Sequence, residues 1–171
     1  MTVTPVRRQV APTPTQADVN RIAARLDGLI SDLVDVQLRA GFVGLPGDRY
    51  NTGESVAEIA ASHEYGLGVP RRPFMTIAIR GPAREQIVRL VTADARQYVI
   101  GNVRPSLVVR RAGIALVSAI KGAINSNLPP PNSPETIAAK RSSKTLIDTG
   151  VMLNAVRAAV DVPGHPPEVV G

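Results

Sequence analysis

The chain has almost no aromatic side chains from which to build a hydrophobic core. Its 171 residues include two Phe, three Tyr and no Trp, although the hydrophobic fraction of 44% is ordinary for a globular protein. A chain of this length usually forms one domain and can bury roughly two-thirds of the surface that its unfolded form exposes. The core must therefore consist mainly of Ala, Val, Ile and Leu.

Cysteine is absent as well, which excludes disulfide bonds, thiol catalysis and cysteine-ligated metal sites. No apolar run approaches the ~20 residues that a membrane span needs. The N-terminal residues lack the apolar stretch of a secretory signal. We therefore expect a protein without membrane contact that is made in the cytoplasm and is used or assembled there.

The positive charge of the chain is concentrated in one region. The net charge is +6, and nine arginines lie between residues 71 and 111, where Glu85 and Asp94 are the only acids. This region is either a solvated basic surface or an interface with DNA or with an acidic protein ring. Eight of the arginines form the candidate basic interface: Arg71, Arg80, Arg84, Arg89, Arg96, Arg104, Arg110 and Arg111.

Prolines mark both ends of the chain. Residues 1–15 contain three prolines and little apolar periodicity, and residues 163–171 contain three more. Proline removes a backbone donor and fixes φ, so we expect a flexible N-terminal arm over 1–15 and a flexible C-terminal tail over 163–171. Both are expected to become ordered on a partner. Residues 16–162 are predicted to form a single α+β domain.

Helical periodicity predicts a helix over residues 16–33 and another that follows Ser55, whose capping box includes Glu58 and which ends before Gly66. Further helices are predicted from Pro82 to about residue 101, from 105 to 126, and as a short helix that begins at Ser133. Strands are predicted over 40–45, 73–80 and 154–162. The expected fold is two to three helices packed on a small, mainly antiparallel sheet.

Residues that could support catalysis are scarce. The chain has two histidines, His63 and His165, and neither lies at a metal-ligand spacing from other ligands. The residues before Ser143-Lys144-Thr145 lack the glycines of a phosphate-binding loop. A set of Ser62, His63 and Asp148 has no supporting pattern. We therefore predict no enzyme activity, no catalytic residues, no metal and no cofactor.

Two stretches carry a resemblance to a known family. They are EIAASHEYGLGVPRRPF, residues 58–74, and LPPPNSPETIAAKRSSKTLIDTGVMLNAV, residues 128–156. In this order they resemble the small neck and tail-completion proteins of tailed bacteriophages, also described as head–tail joining, virion morphogenesis or minor tail proteins. The resemblance covers roughly residues 16–162. The matching positions are Glu64, Tyr65, Gly66, Pro70, Arg72, Pro73, Phe74, Pro134, Thr136, Lys140, Leu146, Asp148, Thr149 and Gly150. Tyr65 stands where Phe is usual, and Thr145 stands where Pro is common.

The resemblance implies a structural virion protein at the head-proximal end of the tail, assembled in the host cytoplasm. Such a protein joins the tail to the head connector by ring-forming contacts. The implied partners are the connector or stopper ring, the tail terminator or tail tube, and further copies in a six-fold ring, with passing contact to genomic DNA. A tail terminator and a head-side connector remain open alternatives. A basic nucleic-acid-binding module is the alternative from another class of protein. A small hydrolase is a further alternative, but the sequence contains no polar cluster that would support it.

Several of the matching positions also have structural interpretations. A carboxylate in the last turn of a helix opposes the helix dipole, so Glu64 is expected to pair with Arg72, unless Arg72 contacts a neighbouring subunit. Phe74 is expected to begin a strand and to pack in the core. Asp148-Thr149-Gly150 is expected to form a turn that orients the last strand. Lys140 either bonds this turn or faces a partner.

Overall fold

The structure, a computed structural model, describes residues 13–43, 48–101, 104–140, 142–164 and 166–171. Across these ranges the chain forms seven helices and one three-stranded antiparallel sheet, so the mixed fold is confirmed, whereas the predicted count of two to three helices is too low. The helices are α1 (Gln16–Leu33), α2 (Val56–Tyr65), α3 (Phe74–Arg80), α4 (Pro82–Val99), α5 (Pro105–Asn125), α6 (Pro134–Ala139) and α7 (Val151–Asn154). The strands are β1 (Gln37–Gly41), β2 (Arg157–Asp161) and β3 (Glu168–Val170).

The ends of α1 and α2 are fixed by local signals in the sequence. Thr15 accepts a hydrogen bond from the backbone N–H of Asp18 at 3.2 Å, and the Asp18 carboxylate accepts one from the N–H of Thr15 at 3.0 Å. Glu58 accepts one from the N–H of Ser55 at the start of α2. Gly66 ends α2 in the left-handed conformation with φ 78°. Both predicted helices are thus confirmed, while most of the predicted N-terminal arm, residues 1–12, lies outside the described residues.

The predicted strand over 73–80 is wrong, because this segment forms α3. Phe74 and Ala78, which are buried, lie four residues apart and therefore share one face of a helix. The same segment is rich in β-branched residues, which favour strands but whose preference is overridden by tertiary packing. The carboxylate of Glu64 accepts hydrogen bonds from the first free N–H groups of α3, those of Met75 and Thr76, and this favours the helix.

The sheet has the order β1-β2-β3. Gln37 pairs with Asp161, and Gly41 pairs with Arg157, so β1 begins earlier than the predicted strand over 40–45, of which residues 44 and 45 lie outside the described residues. The predicted strand over 154–162 is confirmed only from residue 157, because α7 occupies its start. The expectation of a flexible tail over 163–171 is wrong for β3, in which Val170 pairs with Ala158. The prolines end before Glu168, so nothing in Glu-Val-Val prevents pairing.

Helix α5 is the centre of the fold, because it packs against all three strands and against α3 and α4. Ile120 and Ile124 of α5 are buried in the core with Phe74 and Val156. Gly113 allows α5 to approach the sheet closely: a Cβ atom there would lie 3.2 Å from the Cβ of Ala158. The core is therefore aliphatic apart from Phe74 and the half-buried Phe42 and Tyr50 against it.

Helix α1 packs at the edge of the fold rather than inside it. None of its residues is buried, although it carries the apolar periodicity of a core helix. The guanidinium of Arg25 donates a hydrogen bond to the carbonyl of Val99 at 2.8 Å, which holds α1 against the end of α4. The apolar stripe of α1 faces solvent over much of its length.

Candidate functional site

The two stretches that carry the resemblance pack against each other. Arg72, which is 3% exposed, donates hydrogen bonds to the carbonyl of Pro130 from Nε at 3.1 Å and from Nη2 at 2.8 Å. Its Nη2 also donates to Oδ1 of Asn132 at 3.1 Å. The backbone N–H of Arg72 donates to the carbonyl of His63 at 2.7 Å. Arg72 thus bonds the end of α2 through its backbone N–H and the proline-rich segment that precedes α6 through its guanidinium.

The expected Glu64–Arg72 pair does not form. Glu64 is buried, and its carboxylate instead accepts hydrogen bonds from the N–H of Met75 at 2.8 Å, the N–H of Thr76 at 3.1 Å and the hydroxyl of Thr76 at 2.6 Å. A carboxylate at a helix N-terminus satisfies free donors and interacts favourably with the helix dipole. The guanidinium of Arg72 in turn donates to oxygen atoms of the proline-rich segment, whose prolines have no backbone N–H groups. Little of the Arg72 side chain is left exposed for the alternative, a contact with a neighbouring subunit.

The remaining positions of the first stretch shape its turn and the adjoining core. Phe74 is fully buried, and its ring meets Phe42 edge to face with centroids 6.2 Å apart, so the expected core packing is confirmed. Gly66 must stay unsubstituted, since a Cβ there would lie 3.0 Å from the Cβ of Arg71 in addition to the positive φ. Tyr65 and Pro70 are exposed, and the half-buried Pro73 directly precedes α3.

Positions in the second stretch fix the turn that leads into β2. Pro134 is the first residue of α6, and Thr136 donates its backbone N–H to the Ser133 hydroxyl at 3.2 Å. Lys140 Nζ donates to the carbonyls of Lys144 and Thr145 at 3.4 and 3.3 Å, so this side chain bonds the loop that precedes Asp148-Thr149-Gly150. Of the four remaining positions, Leu146 is buried in the core, Asp148 and Thr149 are exposed, and Gly150 (φ 82°) is the residue directly before α7.

Two clefts of about 430 and 400 Å³ lie on either side of His63, Lys140 and Thr145, which line both. His63 Nδ1 and Thr145 Oγ1 are buried and have no hydrogen-bond partner. Burial lowers the pKa of His63, and the charges of Arg72 and Lys140 lower it further, so this imidazole is neutral at pH 7. Burial also lowers the pKa of Lys140, with Asp148 acting in the opposite direction. These clefts were not predicted from the sequence, because their walls come from segments that are distant from one another in the chain.

This cluster does not have the geometry of a catalytic triad. The hydroxyl of Ser62 donates to the carbonyl of Glu58 at 3.0 Å rather than to His63. The unpartnered Nδ1 of His63 is not oriented by a carboxylate. Among the described residues, no group of three or more His, Cys, Asp or Glu could hold a metal ion.

Half of the candidate basic interface is used in contacts within the chain. Arg111 pairs with the buried Asp94 at 2.8 Å and joins α5 to α4, whereas Arg110 pairs with Glu168 at 3.3 Å on the surface. Arg89 pairs with Glu85 at 3.4 Å, and Arg71 Nε donates to the carbonyl of Glu64 at 3.2 Å. The other four arginines are exposed and form no ion pair within the described part of the chain: Arg80, Arg84, Arg96 and Arg104.

Comparisons with protein-family models, with curated proteins and with solved structures give no match. No helix in the described ranges has the length and apolar character needed to cross a membrane.

Proposed function

We propose that this chain is a structural protein of a tailed bacteriophage particle, a neck or tail-completion component that joins the tail to the head connector. It acts by protein–protein contacts in a ring of copies, six-fold if it matches the symmetry of a tail tube. Its partners are the connector or stopper ring on one side and the tail terminator or tail tube on the other. It is assembled in the bacterial cytoplasm and resides in the virion neck.

The observation that carries this proposal is the packing of the two stretches that carry the resemblance. They are separated by more than fifty residues of sequence, yet Arg72 of the first is bonded to Pro130 and Asn132 of the second. Each motif taken alone is short and common. Their joining into one framework supports the interpretation that they belong together as features of one family rather than as chance matches.

A second feature supports assembly rather than chemistry. Four large apolar side chains of α1 are at least two-fifths exposed, and such contiguous apolar surface on a small protein usually marks a protein–protein contact. A neck component functions through surface complementarity, so its function depends on which surfaces contact each other. The N-terminal arm predicted over residues 1–15 is proposed to contact the adjoining ring.

Electron microscopy of lysates tests the proposal directly. A phage from which the gene for this chain is deleted should yield filled heads and separate, complete tails that do not join. The same gene supplied from a plasmid should restore joined, infectious particles. Abnormally long tails would assign the chain to tail termination instead. Normal, infectious particles from the deletion phage would exclude a role in the virion.

A nucleic-acid-binding module is the second candidate, favoured by the four exposed arginines without ion pairs (Arg80, Arg84, Arg96 and Arg104). Fluorescence anisotropy with a labelled DNA duplex distinguishes the two candidates. A neck component should lose DNA binding as salt rises to physiological ionic strength. A DNA-binding module should keep measurable affinity there, with a linear decrease of log K against log salt that becomes shallower when these arginines are changed to glutamine.

A further inference from the structure

We infer that copies of this chain associate head to tail, with the apolar face of α1 in one copy seated in the groove between α4 and α5 of the next. The inference deepens the proposed function, on which its biological setting rests, by naming the contact from which a ring is built. The contact itself is argued from the two surfaces and from their positions on the fold.

The first surface is the outward face of α1. Val19, Ile22, Leu26 and Ile30 are 47%, 44%, 42% and 64% exposed. Their spacing of three or four residues places them along one stripe of the helix. No residue of α1 is fully buried in its own chain, so much of the burial that normally stabilises an amphipathic helix is missing here. A second protein surface would supply it.

The second surface is a groove of about 430 Å³ between the first half of α4 and the second half of α5. Its walls include Ile87 and Leu90 of α4 and Ala115 and Ala119 of α5. At Gly122 a Cβ atom would meet nothing within 4 Å, so the groove is open at this point. Helices pack by inserting the side-chain ridge of one into the groove of another, and a groove with small residues on one wall admits a close approach.

Charges at the borders of the two surfaces are complementary. Asp27 directly follows Leu26 of the α1 stripe, is exposed and forms no ion pair with another described residue. Arg84 directly follows the groove residue Ala83, and Lys121 directly precedes Gly122; neither forms an ion pair with a described residue. Neighbouring residues on a helix point about 100° apart, so each of these charges lies beside its surface. Arg25, which directly precedes Leu26, is held by the carbonyl of Val99 in its own chain. In a head-to-tail contact Asp27 would therefore face Arg84 and Lys121, and this complementarity favours a second copy of this chain as the occupant.

The positions of the two surfaces make the contact directional. Helix α1 lies against the end of α4, where Arg25 bonds Val99, whereas the groove lies at the start of α4, between Ala83 and Leu90. The stripe and the groove are therefore at opposite ends of the α4–α5 pair. A contact between two different surfaces is heterologous, and repetition of it closes into a ring when the rotation between copies permits.

Light scattering coupled to size exclusion, together with sedimentation velocity, tests the inference. The wild-type chain should show a mass above that of the monomer that rises with concentration up to ~0.1 mM. Ile22→Glu and Gly122→Leu should each weaken self-association by about 30-fold or more, the effect expected at the centre of an interface. Ile137→Glu is the matched control: this side chain is 45% exposed on α6 and lies on neither surface, so the mass should be unchanged.

Mixing the two variants distinguishes a head-to-tail contact from a symmetric one. Ile22→Glu keeps an intact groove and Gly122→Leu keeps an intact α1, so an equimolar mixture should form a heterodimer that neither variant forms alone. Circular dichroism of each variant at low concentration confirms that it remains folded. Loss of association in Ile22→Glu but not in Gly122→Leu, with no rescue on mixing, would overturn the assignment of the groove.

A wild-type chain that is monomeric at ~0.1 mM would overturn the self-association itself. Such a result is separable from failure of the proposed function. A deletion phage with unjoined heads and tails, together with a monomeric protein, would leave the joining role intact and remove only this contact.

Discussion

Glu64 and Thr76 share two hydrogen bonds, in which one carboxylate oxygen of Glu64 accepts both the backbone N–H and the hydroxyl of Thr76, at 3.1 and 2.6 Å. A carboxylate in the last turn of α2 therefore accepts hydrogen bonds from the first free N–H groups of α3. Because Glu64 is buried, its replacement by alanine leaves the first donors of α3 unsatisfied. We expect Glu64→Ala to lower the free energy of unfolding by about 2–3 kcal/mol, measured by urea titration.

The exposed Glu85 is the control for this carboxylate. Its ion pair with Arg89 is 3.4 Å long and both side chains are well exposed, so Glu85→Ala should change the free energy of unfolding by less than about 0.5 kcal/mol. Equal effects of the two substitutions would contradict the role of Glu64 in starting α3.

The neighbouring arginines Arg71 and Arg72 should respond differently to the same change. Arg72→Lys removes the paired donors to Pro130 and Asn132 from a buried site, and a lysine ammonium does not reproduce this planar geometry. We expect a loss of about 2 kcal/mol in urea titration. Arg71→Lys, at an exposed position with one hydrogen bond to the carbonyl of Glu64, should cost less than about 0.5 kcal/mol. Equal losses at both positions would show that the guanidinium of Arg72 is not the joining group.

Arg110 and Arg111 provide a second matched pair. Arg111 neutralises Asp94, which is buried, so Arg111→Ala leaves an uncompensated carboxylate inside the protein. We expect this variant to lose about 2–3 kcal/mol of stability. Glu168, the partner of Arg110, remains hydrated, and Arg110→Ala should cost less than about 0.5 kcal/mol. Restoration of the Arg111→Ala loss by a further Asp94→Asn change would confirm the buried charge as the cause; no restoration would refute it.

The two glycines within α5 should respond oppositely to leucine. At Gly122 the side chain meets open space, and leucine favours the helix by about 0.5–1 kcal/mol relative to glycine. At Gly113 a side chain meets Ala158, Leu38 and Val170 of the sheet, and overpacking should cost about 1–3 kcal/mol despite the better propensity. Thermal unfolding at low protein concentration, where self-association does not contribute, measures both. A stabilising Gly113→Leu change would mean that α5 does not lie directly on the sheet.

His63 predicts a specific dependence of stability on pH. Its pKa in the folded protein is lowered from the ordinary value of 6.5 by burial and by Arg72 and Lys140. Above pH 6.5 the imidazole is neutral in both the folded and the unfolded state, and the free energy of unfolding is not reduced by His63. As the pH falls below 6.5 the unfolded chain binds a proton that the folded chain refuses, so stability decreases until the folded pKa is reached. Urea titrations between pH 7 and 5 should show this decrease in the wild type and a smaller one in His63→Gln. Parallel pH profiles would show that another group is responsible.

Local signals in the sequence allowed the ends of α1 and α2 to be predicted. Features that depend on tertiary contacts could not be predicted in this way. The capping residues of α1 and α2 are adjacent in sequence to the helices that they begin, and their boundaries are confirmed. The strand predicted over 73–80 is wrong because the residue that favours a helix there, Glu64, lies in the preceding helix. The sequence analysis expects Glu64 to pair with Arg72 instead. The resemblance indicated the two stretches that pack against each other, residues 58–74 and 128–156. It did not indicate which of their side chains form hydrogen bonds with each other.

The clefts beside His63 could not be predicted for a related reason. Their walls come from α2 and the loops on both sides of it, from the proline-rich segment and α6, and from α7 and the loop before it. No spacing in the sequence reveals that Thr145 and His63 each have a buried polar atom without a partner. The apolar stripe of α1 was visible in the sequence, but its exposure was not, because periodicity does not identify what covers a helix.

The pairing of β1 with β2 has a kinetic consequence. Its terminal pair, Gln37 and Asp161, encloses nearly the whole described fold, and the ion pair between Arg39 and Asp161 spans 122 positions of sequence. Chains dominated by such distant pairings have high contact order and fold slowly, because the entropy of closing the loop is lost before the pairing is gained. Helices α2 to α7 lie inside that loop, and the α3–α4 and α4–α5 contacts join helices that are adjacent in sequence. In refolding experiments, helical signal should therefore appear before the protection of β1 and β2 amides against hydrogen exchange.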